Sequence, residues 1–279
     1  MENKTIFCYE LCEGEFMDCG NCRHYKNNIM EENIKLAIEW LKEQPVRGVI
    51  TGSCMLGYFE GQDVDIFVYD EKSFNKLIFA MYHSPKFQIL EPLELWKFNR
   101  YIDHAYDNYH KVGLLTLKFY FNTCIPVNVI LKKSYNNIFG ILSSFDMDII
   151  SKGFDLETKQ YLDLSGDSAS TKIASWNKWN TTFYDPEMWE VNKLLRQLER
   201  VFKYHRRGYN TDVVALKYIA LIDEILKLQD IFNSANYSEK LKVNKENLKV
   251  IKMICNKWLD THEITEEQTE LLKLKIHEL

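Results

Sequence analysis

Residues 48–68, Gly-Val-Ile-Thr-Gly-Ser-Cys-Met-Leu-Gly-Tyr-Phe-Glu-Gly-Gln-Asp-Val-Asp-Ile-Phe-Val, constrain the fold of this chain more than any other stretch. An apolar run carrying Val46, Val49 and Ile50 ends in Gly52-Ser53. After a spacer of nine residues, Asp63-Val64-Asp65 opens a second run, Ile66-Phe67-Val68. Side chains on a strand alternate with period two, so Asp63 and Asp65 share one face while Val64 and Ile66 point to the other. Two carboxylates about 7 Å apart along a strand suit divalent metal ions; without a cation their charges repel and favour keeping one protonated. A tight turn between two strands, with surface aspartates, is the plainer reading of the same residues.

Apolar-Gly-Ser, nine residues, then Asp-apolar-Asp-apolar resembles the signature of the polymerase-beta-type nucleotidyltransferase superfamily. The resemblance implies that Gly52 and Ser53 bind the triphosphate of a nucleotide. It implies that Asp63 and Asp65 are the catalytic pair and hold Mg²⁺ or Mn²⁺. The chemistry is consistent with both roles. Gly52 has no Cβ, so backbone can approach phosphate closely, and the first turn of a helix offers unpaired N–H groups. The superfamily usually places a third acid on a later strand. Here the matching strand, Ile125–Leu131, carries Asn128, whose amide oxygen is a weak metal ligand and cannot act as a base. Asp146 and Asp148, in Ser-Phe-Asp-Met-Asp-Ile-Ile, form a second same-face pair that could complete the metal site. Three readings stand: a third acid from Asp146 or Asp148, catalysis by two carboxylates, or binding without turnover.

A finer resemblance is to a subset of nucleotidyltransferase-like proteins, many of them phage- or virus-encoded. Its marks are the strand Val127-Asn128-Val129-Ile130, then Phe145-Asp146-Met147-Asp148, then Lys203-Tyr204-His205-Arg206-Arg207-Gly208-Tyr209. Lys203 and Arg207 read either as a clamp on triphosphate or RNA backbone, or as cations favourably placed at a helix C-terminus, worth about 0.3–1 kcal/mol each. Trp176 and Trp179 read as a base-stacking pair or as packing at a domain junction. His104 and His110 carry no assigned role.

Seven cysteines occur, four of them at Cys8, Cys12, Cys19 and Cys22. Two close thiolate pairs can complete a tetrahedral Zn²⁺ shell, and Gly20-Asn21 tolerates the turn that aims Cys19 and Cys22 at one ion, with His24 a substitute ligand. Unrelated free thiols, a redox pair or an iron–sulfur site are the alternatives. Cys54, Cys124 and Cys255 sit among apolar residues as small core fillers. The net charge of −5 does not mark the whole surface as nucleic-acid-binding. No apolar stretch approaches the roughly 20 residues of a membrane span. The N-terminus lacks the apolar core of a signal peptide, which places the expected protein in the cytoplasm.

Periodicity predicts a helix over 31–44 ended by Pro45, strand 46–51, a short helix after Ser53, and strand 64–69. Helix 71–83 follows, with Phe74, Leu77, Ile78 and Met81 inward; residues 86–112 are ambiguous. Strands 114–121 and 125–131 form a hairpin across Asn122-Thr123-Cys124, and helix 134–143 leads to a strand through Phe145-Asp146-Met147-Asp148. After the polar run Ser165–Ser170 the pattern is almost wholly helical: 186–207, 211–231, 244–260 and 265–277. The expected class is α+β: a Cys-rich knuckle (1–28), a small mixed-sheet nucleotidyltransferase-like domain (29–165), and an all-helical domain (166–279). The implied activity is metal-dependent transfer of a nucleoside monophosphate from an NTP to a hydroxyl on an RNA 3′ end, a protein or a small molecule. A catalytically degenerate member that binds nucleotide or a partner protein is the alternative, and a protein that docks through its zinc knuckle is the third.

Overall fold

The computed structural model describes residues 20–59, 61–89, 95–181, 191–232 and 244–279. The chain forms two compact units, one of Met1–Asn137 with Phe154–Gln160 and one of Ile138–Gly153 with Tyr161–Leu279.

The first unit opens with α1 (Gly20–Lys42), which buries Ile34, Ala37 and Leu41 at helical spacing with Ile38 beside them. Then come β1 (Gly48–Thr51), a single 3-10 turn (Ser53–Met55), β2 (Val64–Val68), α2 (Glu71–His83), β3 (Phe87–Gln88), α3 (Leu95–Val112), β4 (Leu114–Phe121) and β5 (Ile125–Lys132). Helix α2 starts where the Asp70 carboxylate accepts the Ser73 N–H at 2.7 Å, and it buries Phe74, Leu77, Ile78 and Met81 completely. Truncating one of these to Ala costs about 2–5 kcal/mol. The β4–β5 hairpin turns at Asn122 and Thr123, both at positive φ (46° and 63°).

Strand β2 pairs antiparallel with β1 and parallel with β5, and β5 pairs antiparallel with β4. With β6 (Lys152–Asp155) and β7 (Tyr161–Asp163) the sheet has, among the described residues, seven strands in the order β3-β4-β5-β2-β1-β6-β7. Along β2 and β5 every second residue is buried: Val64, Ile66 and Val68, then Ile125, Val127, Val129 and Leu131. These share one core with apolar residues of α1, α2 and α3. Alternation sends Asp65 and Asn128 to the opposite face.

Residues 154–160 return to the first unit. The Leu156 N–H donates to Gly48 O at 2.8 Å, the Tyr69 hydroxyl donates to Asp155 at 2.7 Å, and Arg47 pairs with Glu157 at 2.8 Å.

The second unit holds α4 (Ile138–Ser143), a 3-10 turn (Asp148–Ile150), α5 (Ser168–Thr171), α6 (Val191–Leu195), α7 (Leu198–Arg206), α8 (Asp212–Phe232), α9 (Lys245–Thr261) and α10 (Glu266–His277). Leu195, Leu198, Val201, Val214, Ile222, Ile225, Leu248, Ile251 and Leu272 are among its buried residues. Among the described residues, no helix is long and apolar enough to cross a membrane.

Several expectations are corrected. Phe145–Asp148 is not a strand: Met147 makes one isolated bridge to Trp176, and a 3-10 turn begins at Asp148. The helix expected over 186–207 is interrupted at Arg196-Gln197, between α6 and α7. Helix α4 begins at Ile138 rather than 134, and residues 95–112 of the ambiguous stretch form α3. Helix α1 starts at Gly20, so Gly20-Asn21-Cys22 is helical backbone rather than a tight turn. Cys8, Cys12 and Cys19 lie outside the described residues, as does the Cys22 side chain, and with them the expected zinc knuckle.

Candidate active site

Strand β1 ends at Thr51, opposite Asp65 of β2. Gly52 then adopts φ 88°, ψ −157°, a conformation that essentially only glycine tolerates. A Cβ on Gly52 would lie 2.8 Å from Asp65 Oδ2. The missing side chain therefore lets the turn pass directly over the Asp65 carboxylate. The turn closes with Met55 N–H to Gly52 O (3.2 Å) and Leu56 N–H to Ser53 O (3.0 Å). It is one 3-10 turn, shorter than the helix expected there. The buried Cys54 thiol donates to Thr51 O at 3.3 Å. Burial, and then the charges of Asp65 and Asp63, push that thiol up to about 12, so it is not a nucleophile at neutral pH.

Asp63 is delivered by the loop before β2. Gln62, almost wholly buried, braces that loop: its Oε1 accepts the Phe59 N–H and its own N–H donates to Phe59 O, each at 3.1 Å. The expected pair and the expected asparagine converge. Asn128 Nδ2 donates to Asp63 Oδ2 at 2.9 Å and to Asp65 Oδ1 at 2.8 Å. Both amide hydrogens are used, one per carboxylate, so a neutral side chain bridges two anions. Rotating the amide by half a turn exchanges these donors for the oxygen acceptor.

Sequence reasoning missed Lys118. It is exposed, lies directly across from Asn128 in the β4–β5 ladder, and so shares a face with Asn128 and Asp65. Register places side chains of directly opposed residues about 4.5–5.5 Å apart at Cβ. The hairpin already expected over 114–131 could have revealed it. A turn at 122–124 pairs Phe121 with Ile125, and counting back pairs Lys118 with Asn128.

Asp146, Asp148, Lys203 and Arg207 belong to the second unit. Asp146 is fully buried, 3.0 Å from the Arg200 guanidinium. Asp148 accepts the Ser175 N–H at 2.9 Å and the Ser168 hydroxyl, and burial raises its carboxyl above the usual range. Asp146 is thus held by an ion pair, whereas Asp148 accepts hydrogen bonds. Asn177, also buried, donates to Leu142 O (2.9 Å), Phe145 O (3.0 Å) and Ser151 Oγ (3.0 Å), and so fixes the segment around them. Lys203 is exposed on α7. Arg207 caps that helix, with its guanidinium over the Tyr204 ring at 5.5 Å. Trp176 is buried against Tyr218, whereas Trp179 is 44% exposed and touches Phe139. Among the described residues no three His, Cys, Asp or Glu side chains gather as a metal site; the Asp63–Asp65 pair is completed by an amide.

No protein-family model and no curated protein sequence matches the chain. Among solved structures it is similar to a Thermotoga maritima CCA-adding enzyme complexed with tRNA (TM-score 0.39, 12% identity, covering 89% of this chain and 62% of that one). It is similar also to a tRNA-processing enzyme with CTP (0.37, 14%, 85% and 68%) and to an apo tRNA-processing enzyme (0.37, 13%, 84% and 70%). At these values the likeness carries no weight in assigning a function, which rests on the side chains of this chain.

Proposed function

We propose that this chain is a metal-dependent nucleotidyltransferase that moves a nucleoside monophosphate from an NTP to a hydroxyl acceptor on RNA, on protein or on a small molecule. One observation carries the reading: Asp63 and Asp65 converge on one amide beneath a turn whose glycine, lacking a Cβ, passes close over the Asp65 carboxylate. The oxygen-only donor set suits Mg²⁺ or Mn²⁺, since Mg²⁺ is commonly held by one or two carboxylates together with substrate phosphates. When bound, the ion supplies neutralisation of phosphate charge and a lowered pKa for the attacking hydroxyl. Asp63 and Asp65 would hold it, with the amide oxygen of Asn128 available as a further, weaker ligand. Gly52 and Ser53 receive the triphosphate, and Lys118 offers a charge-assisted hydrogen bond to a phosphate oxygen. Lys203 and Arg207 are proposed as further nucleotide contacts. Of the three polar groups at the pair, only the aspartates can accept the hydroxyl proton.

The test is transfer from each of the four α-labelled NTPs, with Mg²⁺ or Mn²⁺, to total RNA and to the protein itself. Label that vanishes in the Asp63→Ala/Asp65→Ala double variant supports the reading and names the acceptor class. Transfer that survives in the double variant overturns it.

A second reading is favoured by Asn128, a neutral amide that bridges both carboxylates at the position where a third acid was expected. In it the fold binds nucleotide, or a partner, and does not turn over. Saturable NTP binding without transfer to either acceptor would mark this case. Cys8, Cys12, Cys19 and Cys22 are proposed as a structural Zn²⁺ site, checked by the metal content of the purified protein.

A further inference from the structure

The geometry points to a second binding site, for a planar nucleobase, wholly within the helical unit and separate from the carboxylate pair. A cavity of about 360 Å³ lies where α7 and α9 end and α10 begins, lined by Phe202, His205, Arg206, Trp258, His262 and Glu263 among others. That volume falls at the lower end of the roughly 300–1,000 Å³ of small-molecule sites.

The rim is fixed by local structure. His262 takes a left-handed conformation (φ 54°) that closes α9, and its N–H returns to Trp258 O at 2.6 Å. Three residues later Thr265 caps α10 in a reciprocal capping box with Gln268. The His262 ring is held by Asp212, with Nε2 2.9 Å from Oδ1.

The walls are rings. His205 and His262 lie nearly parallel, 5.2 Å apart at 21°. Trp258 stands edge-on to both, at 5.2 and 5.3 Å, and Phe202 packs against Trp258 at 5.3 Å. The His262 ring, with 42% of its side chain exposed, offers an open face on which another flat ring can stack.

Polar groups decide which flat ring. His205 Nδ1 is buried and has no hydrogen-bond partner among the described residues. The Arg206 guanidinium is exposed and pairs with no acid among the described residues. Glu263 supplies a carboxylate on the same rim. A purely apolar ring would use neither rim group, and a ligand carrying a single charge would meet a like one, Arg206 for a cation or Glu263 for an anion. A heterocycle with both donors and acceptors on its edge, a nucleobase, matches the set. Its source is either a free nucleotide or one base of a single strand.

The test uses the full chain in EDTA, so that the carboxylate pair carries no metal. AMP, GMP, CMP, UMP and single-stranded hexaadenylate and hexauridylate are titrated calorimetrically, with a short tryptophan-containing peptide as comparison. Saturable binding is expected, weakened about tenfold or more by His205→Ala and by His262→Ala. It is expected unchanged in the Asp63→Ala/Asp65→Ala variant. Binding of the mononucleotides assigns the site to free nucleotides, and binding of the hexamers alone assigns it to a strand. Should His205→Ala lower the melting temperature, Arg206→Ala, on the exposed rim, is the variant that must weaken binding. No saturable binding of any nucleotide or hexamer overturns the assignment. So does binding that these variants leave intact, or binding of the peptide alone.

Discussion

The amide of Asn128 and the carboxylate of Asp65 face each other in register on adjacent parallel strands, 2.8 Å apart, and the same amide nitrogen reaches Asp63 at 2.9 Å. A negative group in place of that nitrogen would lose both hydrogen bonds and add like-charge repulsion. Asn128→Asp is expected to destabilise the metal-free protein by about 1–3 kcal/mol. Mg²⁺ should restore that loss, since three carboxylates hold a divalent ion better than two with an amide. Thermal melts in EDTA and in Mg²⁺ check it; an Mg²⁺-dependent gain no larger than wild type's would refute the metal role of this position.

Gly52→Ala places a Cβ 2.8 Å from Asp65 Oδ2, on a backbone at φ 88°. Strain of about 1–3 kcal/mol is expected, together with displacement of the carboxylate. Transfer should fall by more than the melting temperature explains. An alanine variant with wild-type turnover would show that the turn over Asp65 is not part of the site.

Lys118 is exposed, so Lys118→Ala should leave stability within about 0.5 kcal/mol. Loss of one charge-assisted bond to phosphate, about 1.5–3 kcal/mol, should instead appear as weaker NTP binding or slower transfer. Steady-state kinetics on Lys118→Ala and Lys118→Arg decide it, the arginine variant retaining most of the effect.

Asp146 is fully buried while its partner Arg200 is about a third exposed (34%). Removing either therefore has unequal consequences. Arg200→Ala strands a buried carboxylate and should cost about 3–5 kcal/mol. Asp146→Ala leaves a guanidinium that keeps its hydrogen bond with Tyr204, and should cost less. Urea unfolding of the two variants gives the order, and the reverse order would mean that the pair is not the anchor of this segment.

Burial alone pushes the Cys255 thiol up to about 12. A thiol raised in the folded state contributes stability that is complete below its ordinary value, near 9, and is lost as pH climbs toward 12. Wild type should therefore lose more stability than Cys255→Ala between pH 9 and 11. Iodoacetamide should leave Cys255 unmodified in the folded protein at pH 8; mass mapping of the labelled peptide checks this.

Legibility in the sequence followed how local each cause was. The β1-turn-β2 unit could be read because apolar alternation, one obligatory glycine and two acids all lie within about twenty residues. Helix α2 could be read equally well, its cap and its four buried apolar residues being one contiguous pattern. Phe145-Asp146-Met147-Asp148 misled because alternation of acid and apolar residues has two physical origins. It marks a half-buried strand, but here Asp146 is drawn to Arg200, and Asp148 binds Ser168 and Ser175 where a 3-10 turn starts. The break between α6 and α7 carries no proline or glycine, so nothing local announced it. The histidine pair His205 and His262 was invisible for a different reason: only the packing of α7 on α9 brings two distant rings together.

Residues 154–160 belong with the first unit although the 16 residues before them belong with the second. The polypeptide therefore leaves its first unit, returns, and leaves again. A fragment ending at Asn137 lacks the partners of Gly48 and Tyr69 and the Glu157 contact of Arg47, whereas one ending at Gln160 keeps them and carries residues 138–153 of the second unit as well. Exchange of the carboxylate-bearing unit at Asn137 would give it a foreign segment 154–160, and with it new partners for Gly48 and Tyr69.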